Sequence, residues 1–187
     1  MWGLFGKKQE NSMRLKQKGD EAFISIKHLT VKMTWTTAAD FDLAVVFRTK
    51  SDEKGIVYFG DLGTVDEFPY MRLNKDEGVG DTSGNNEEIL DIAQLENMKY
   101  IWLFCWDYGK VKTGEKARFD QSDVQLTLSD QEGNATTVDI DTGEEGNVCC
   151  IATIDNTSAT GAMLINASRP ATLHKLQTLE QLLAIVE

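Results

Sequence analysis

The sequence has few of the residues on which hydrolytic and zinc–cysteine chemistry depends. Its 187 residues include two histidines and three cysteines, and no two cysteines have the C-x-x-C spacing of zinc and redox sites. A protein of a reducing compartment without structural zinc is the simplest interpretation. With so little histidine and no G-x-S-x-G motif, general bases and activated nucleophiles are scarce. We therefore expect a protein that is not an enzyme.

The sequence also lacks an apolar run long enough to cross a bilayer. We therefore expect a soluble, cytoplasmic protein. Residues 1–8 leave an alternative open, because two lysines directly follow a tryptophan, a leucine and a phenylalanine in that segment. Such a composition predicts weak, peripheral association with the inner membrane surface. A terminus without any such role is the other interpretation.

Positive charge is in short supply. The formal net charge is -11, from 30 Asp and Glu against 19 Lys and Arg. A surface of this sign repels nucleic acid, so we expect no nucleic-acid partner. It attracts metal cations and basic proteins, although acidic residues also serve solubility alone. The total charge does not choose between these two roles, and the positions of the acids are more informative.

Short β-prone segments separated by turns occupy most of the chain. The alternation at Ile24 and Ile26 resumes one residue out of phase at Leu29, which predicts a turn or bulge near His28. The segment 41–48 (FDLAVVFR) predicts a central strand buried on both faces. About nine such segments predict a mainly β fold, a two-sheet antiparallel β-sandwich. The others span 55–59, 87–92, 100–106, 124–128, 135–140, 148–154 and 161–165.

The C-terminal segment follows a different period. Its apolar residues have helical spacing, and a threonine and a glutamine three residues apart resemble a capping box before them, which predicts a short amphipathic C-terminal helix. The stripe consists of Leu179, Leu182, Leu183 and Val186. The expected organisation is a flexible leader at 1–14, the sandwich at 15–168 and the helical tail at 169–187.

The segment from Asn74 to Asp91 is chemically the most distinctive. No lysine or arginine lies between Asp76 and Met98, and three glycines allow the backbone to turn tightly. Carboxylate, carbonyl and amide oxygens are the ligands that Ca²⁺ prefers. Clustering carboxylates without a cation costs Coulomb energy, so the segment indicates a cation site. The alternative is an acidic loop whose charges spread apart in water.

A second acidic pair, Asp40 and Asp42, opens the segment predicted as the central strand. Residues two apart on a strand point to the same face, so this pair could extend a ligand set. The alternative is that both carboxylates satisfy backbone amides where the strand begins.

Several motifs, in this order, resemble the TerD family of tellurium-resistance and bacterial stress proteins. Trp35 followed by A-D-F-D-L at 39–43 is similar to the family's W…D-x-D strand opening. The segment 56–62 (IVYFGDL) is similar to its short strand before an acidic loop, and 78–89 to its G-x-G-D-G-D-D-E-x-I signature. The resemblance covers residues 15–168 and implies a β-sandwich that binds Ca²⁺. It also implies a role in tellurite resistance and broader stress, without established enzymatic activity.

The resemblance further implies that one or two calcium ions are bound by the acidic loop and the D-x-D strand. We expect this binding to order the loop, which then presents a surface to protein partners of a stress-response complex. Asparagines replace some of the family's aspartates, so we expect weaker binding or one lost site. The metal-ligand candidates are Asp40, Asp42, Asn74, Asp76, Asp81, Asn86, Glu87 and Glu88, with Asp61 and Asp107 as additional ones.

Aromatic residues suggest a second function. Trp102, Trp106 and Tyr108 share one parity along a predicted strand and the turn after it. On an exposed face they could stack against a sugar ring, which would make the protein a calcium-dependent carbohydrate-binding β-sandwich module. The other interpretation is that they belong to the core, where large aromatic side chains usually lie.

Overall fold

The computed structural model describes residues 11–75 and 85–187, and these form two facing β-sheets with two short helices. The predicted two-sheet antiparallel β-sandwich with a C-terminal helix is therefore confirmed. In chain order the elements are β1 (Ser12–Leu15), β2 (Glu21–Ile24), β3 (Lys27–Trp35), β4 (Phe41–Thr49), β5 (Lys54–Val57), β6 (Gly63–Thr64), β7 (Met71–Lys75), β8 (Asn86–Gln94), β9 (Met98–Asp107), α1 (Tyr108–Thr113), β10 (Ala117–Arg118), β11 (Gln125–Ser129), β12 (Ala135–Asp139), β13 (Glu145–Gly146), β14 (Val148–Asp155), β15 (Ala162–Ala171) and α2 (Leu179–Val186).

The sheets differ in their strand order. The first sheet has seven strands in the order β1-β12-β11-β3-β8-β7-β6, and the second has six in the order β2-β15-β14-β9-β4-β5. Strands β10 and β13 form a separate pair. Pairing is antiparallel among the described strands, except that β1 runs parallel to β12. One face of each sheet packs against the other sheet, and the interface between them is the main hydrophobic core.

Strand β4 is buried on both faces, as its unbroken run of apolar residues predicts. Leu43 and Val45 point into the core between the sheets. Ala44 and Val46 point to the opposite side of the second sheet, where a second apolar cluster lies beneath α2. The sandwich is therefore covered on this outer face by the C-terminal helix.

The phase break near His28 marks the point where the chain changes sheet. His28 has a φ of 49°, the left-handed conformation of a tight turn or bulge. Strand β2, before it, belongs to the second sheet, whereas β3 belongs to the first. The predicted irregularity is therefore confirmed.

Both sheets extend beyond the boundaries predicted for the sandwich in the sequence. Strand β1 already begins at Ser12, within the predicted leader, where Arg14 donates to Asp139 of β12 at 2.7 Å. Strand β15 continues to Ala171 because its last residues pair with Val148–Cys150 of β14.

Residues 1–8, for which membrane-surface binding is predicted, lie outside the described residues. Neither of the two described helices is long and apolar enough to span a bilayer.

Helix α2 begins where the capping pattern predicts. The Gln181 side chain accepts a hydrogen bond from the Thr178 backbone N–H at 3.0 Å, which satisfies an amide at the helix start. Leu182 and Leu183 are buried against the outer face of the second sheet. The apolar stripe thus packs on the chain's own sandwich.

Candidate metal site

Glu88 is the most deeply buried carboxylate among those predicted ligands that the structure describes. Alternate residues of β8 face the core, so Glu88 points inward and is 1% exposed. Its Oε2 accepts a hydrogen bond from the backbone N–H of Leu43 at 2.6 Å. Strand β5 pairs with β4 only from Val45 onward, so this N–H lies beyond the end of β5. The carboxylate therefore replaces a missing strand partner and reaches across from the other sheet.

Asp42 lies directly before Leu43 and is 5% exposed. Its Oδ2 accepts a hydrogen bond from Nε1 of Trp106 at 2.9 Å, across the register of β4 and β9. Asp40 is half-buried two residues earlier, and its carbonyl accepts from the Tyr108 N–H at 2.9 Å. The D-x-D pair and Glu88 are thus brought to the same end of β4.

Asp107 completes the acidic residues at this end of the second sheet. It pairs in register with Phe41 and is 7% exposed. Its Oδ1 accepts from the Lys110 N–H at 3.1 Å, so it caps the N-terminus of α1. Asp107 therefore has a structural role that the sequence did not predict.

The thiol of Cys105 experiences the charge of these acids. Burial is the main cause that raises its pKa, and the neighbouring Cys149 raises it further. Glu88, Asp42 and Asp107 each raise the same pKa through their negative charges. Three buried carboxylates therefore contribute negative charge to the same part of the interior, and a cation near them would offset part of that charge.

Other predicted ligands lie elsewhere. Glu87 points to the opposite face of β8 from Glu88 and forms an ion pair with Lys32 at 3.3 Å. Asn74 donates from Nδ2 to Asp91 at 2.5 Å. Asp61 lies in an exposed turn and accepts from the Gly63 N–H at 3.2 Å. Thus Glu87, Asn74 and Asp61 are not gathered with Glu88 by the structure.

Asn86 is placed differently. It points inward beside Glu88, and its Nδ2 donates to the Thr37 carbonyl at 2.9 Å. Asp76 and Asp81 lie outside the described residues. Within residues 11–75 and 85–187, no three His, Cys, Asp or Glu side chains converge closely enough to hold a metal ion. The acids of the described ranges are therefore at most part of a cation site.

The aromatic residues of the carbohydrate hypothesis belong largely to the second apolar cluster. Trp102 and Trp106 are buried beneath α2, which removes both from any open stacking surface. Tyr108 is half-buried and packs edge-to-face on Phe59, with ring centroids 5.6 Å apart. The prediction that these three rings form an exposed platform is therefore wrong. Trp106 and Tyr108 instead border a cavity that the sequence did not predict, because its walls come from segments far apart in the chain.

Comparison with known proteins supports the fold. No family model matches the chain, and no curated protein matches its sequence. A solved structure of a homologue of telluride resistance protein (TerD), SCO6318 from Streptomyces coelicolor A3(2), is similar with a TM-score of 0.54 at 13% identity. That match covers 84% of this chain and 95% of the other. The protein of unknown function SAV2460 is similar with a TM-score of 0.55 at 12% identity, over 79% and 93% of the two chains. The chain therefore has a TerD-like fold.

Proposed function

We propose that this protein is a calcium-binding, non-enzymatic stress protein that acts in the cytoplasm in a tellurite-resistance-like response. The observation that carries the proposal is the burial of Glu88, Asp42 and Asp107 near the end of β4 that carries the D-x-D pair. Buried carboxylates so arranged favour a cation. The resemblance to TerD proteins and the shared fold with SCO6318 support a stress role.

The ion would join ligands from two parts of the chain. Ca²⁺ takes about six to eight oxygen ligands, more than Asp40, Asp42 and Glu88 supply with one oxygen each. Asp76 and Asp81, which lie between β7 and β8 in the sequence, are the acids proposed to complete the site. Binding would fix this acidic segment against the end of β4 and present it to protein partners of a stress-response complex.

Calorimetric titration of chelator-treated protein with Ca²⁺ tests the site, with Mg²⁺ as the control ion. We expect selective Ca²⁺ binding, weakened at least about tenfold by Asp42→Asn or Glu88→Gln, because each removes a charged ligand. Glu87→Gln is the matched control: it removes the same charge at the next position, where the side chain pairs with Lys32. Equal losses in Glu87→Gln and Glu88→Gln would show that only overall charge matters. Full affinity in both Asp42→Asn and Glu88→Gln would place the site elsewhere.

Calcium is also expected to stabilise the fold. A ligand that binds only the folded state raises the free energy of unfolding by RT ln(1 + [L]/Kd), about 2.7 kcal/mol at a hundredfold excess over Kd. Thermal melts in Ca²⁺ and in chelator should therefore differ for the natural sequence, and the difference should vanish in Asp81→Ala. An unchanged melting temperature at saturating Ca²⁺ would contradict a site coupled to folding.

A further inference from the structure

A cavity of about 400 Å³ lies on the outer side of the second sheet, and its lining includes Trp106, whose indole N–H bonds to the Asp42 carboxylate. The end of β5, the end of β9, helix α1 and the segment leading into α2 enclose it. That segment is fixed by a hydrogen bond from the Lys175 N–H to the Val111 carbonyl at 2.8 Å. The cavity is therefore built into the fold, and its size falls within the range of small-molecule sites, roughly 300–1,000 Å³.

Aromatic rings form one wall of this cavity. Tyr58 packs edge-to-face on Phe59 at 5.1 Å between centroids, and Phe59 packs in the same way on Tyr108 at 5.6 Å. Trp106 lies beside them and has its indole N–H bonded to Asp42. The remaining lining includes aliphatic side chains such as Leu179 and Leu182. Such a wall suits the flat or chain-like body of an apolar ligand.

The charged residues of the lining are both lysines. Lys112 and Lys175 line the cavity, whereas no Asp or Glu among the described residues does. Lys112 lies over the Tyr108 ring, with Nζ 3.9 Å from the centroid. None of the ion pairs found within the described ranges involves either lysine. The net charge of the chain is -11, but the described lining of this cavity has two lysines and no acid. The lysines therefore create a local positive potential that favours an anion.

We propose that this cavity binds a small amphipathic anion, with an aromatic or short aliphatic body and one carboxylate or sulfonate group. The body lies against the wall formed by Tyr58, Phe59 and Tyr108. The anionic group lies between Lys112 and Lys175, where charge-assisted hydrogen bonds hold it. Neither lysine belongs to the proposed calcium site, and the two sites meet only where Trp106 of the cavity wall donates to Asp42.

Two fluorescent probes separate the roles of charge and apolar contact. The first is the anion 8-anilinonaphthalene-1-sulfonate, and the second is the neutral N-phenyl-1-naphthylamine. We expect saturable binding of the anion, weakened about tenfold or more in the double variant Lys112→Gln, Lys175→Gln. The neutral probe should bind this variant as it binds the natural sequence. Lys116→Gln, an exposed lysine outside the cavity lining, is the matched control and should change neither affinity.

A cavity-filling variant provides the second test. Leu176→Trp places a larger side chain in the lining and should weaken binding of both probes, with circular dichroism used to verify the fold. Unsaturable binding of the anion, or unchanged affinity in the double lysine variant, would overturn the proposal. So would a folded Leu176→Trp protein that binds both probes normally. If Leu176→Trp does not fold, the lysine variants decide alone, because both lysines are exposed.

Discussion

Replacing Asn147 with alanine is expected to lower the free energy of unfolding by about 3 kcal/mol. This fully buried side chain bonds three backbone groups that have no strand or helix partner. Its Nδ2 donates to the carbonyls of Leu173 at 2.7 Å and Glu115 at 3.0 Å, and its Oδ1 accepts from the Leu173 N–H at 2.8 Å. Alanine would leave these groups unsatisfied, and each such loss costs about 1 kcal/mol or more.

Urea denaturation monitored by circular dichroism measures this loss. Asn97→Ala is the matched control, because Asn97 is exposed and, within the described part of the chain, bonds through its backbone carbonyl alone, to the Lys50 N–H. We expect that control to stay within about 0.5 kcal/mol of the natural sequence. If the two variants were equally stable, the Asn147 side chain would not be what fixes the segment between β15 and α2.

Replacing Leu182 with alanine should cost about 2–5 kcal/mol. Leu182 is fully buried in α2 and packs in the cluster that contains Trp102 and Trp106. Truncation removes apolar contacts and leaves a void that a short helix packed on a rigid sheet closes only partly. Because water then approaches the two indoles, the tryptophan emission of the folded variant should shift to longer wavelength.

Glu180→Ala provides the comparison within the same helix, since Glu180 is exposed and its loss leaves the packed face intact. Its free energy of unfolding should stay within about 0.5 kcal/mol of the natural value, without a change in emission. A Leu182→Ala protein with full stability and unshifted emission would show that α2 does not cover this face in solution.

Elements with a strong local pattern could be predicted from the sequence. The apolar run of β4 and the stripe of α2 each bury a face that is visible in a few consecutive residues. Strands β6, β10 and β13 could not, because two residues are too few to show a period. The parallel pairing of β1 with β12 depends on residues far apart in the chain, and local pattern carries no information about it.

The candidate metal site was harder to predict than the fold because it depends on which face of its strand each acidic side chain occupies. Glu87 and Glu88 are chemically alike, and only the register of β8 determines which one enters the sandwich. A shift of one residue would exchange them. Trp102 and Trp106 do lie on the same face of β9, as their spacing predicts. That face is covered by α2, which is separated from β9 by several other elements in the sequence. Burial of that face follows from tertiary packing alone.

The strand order has a consequence for how the molecule is made. Strands β1 and β2 precede the other described strands in the sequence, yet they pair with the distant strands β12 and β15. The first sheet is incomplete until β12 has been synthesised and the second until β15 has been synthesised, and such distant pairings close slowly. The unpaired edges of the nascent chain meanwhile expose apolar strands to association. Among the described strands, β1 and β2 therefore wait longest for their partners during synthesis.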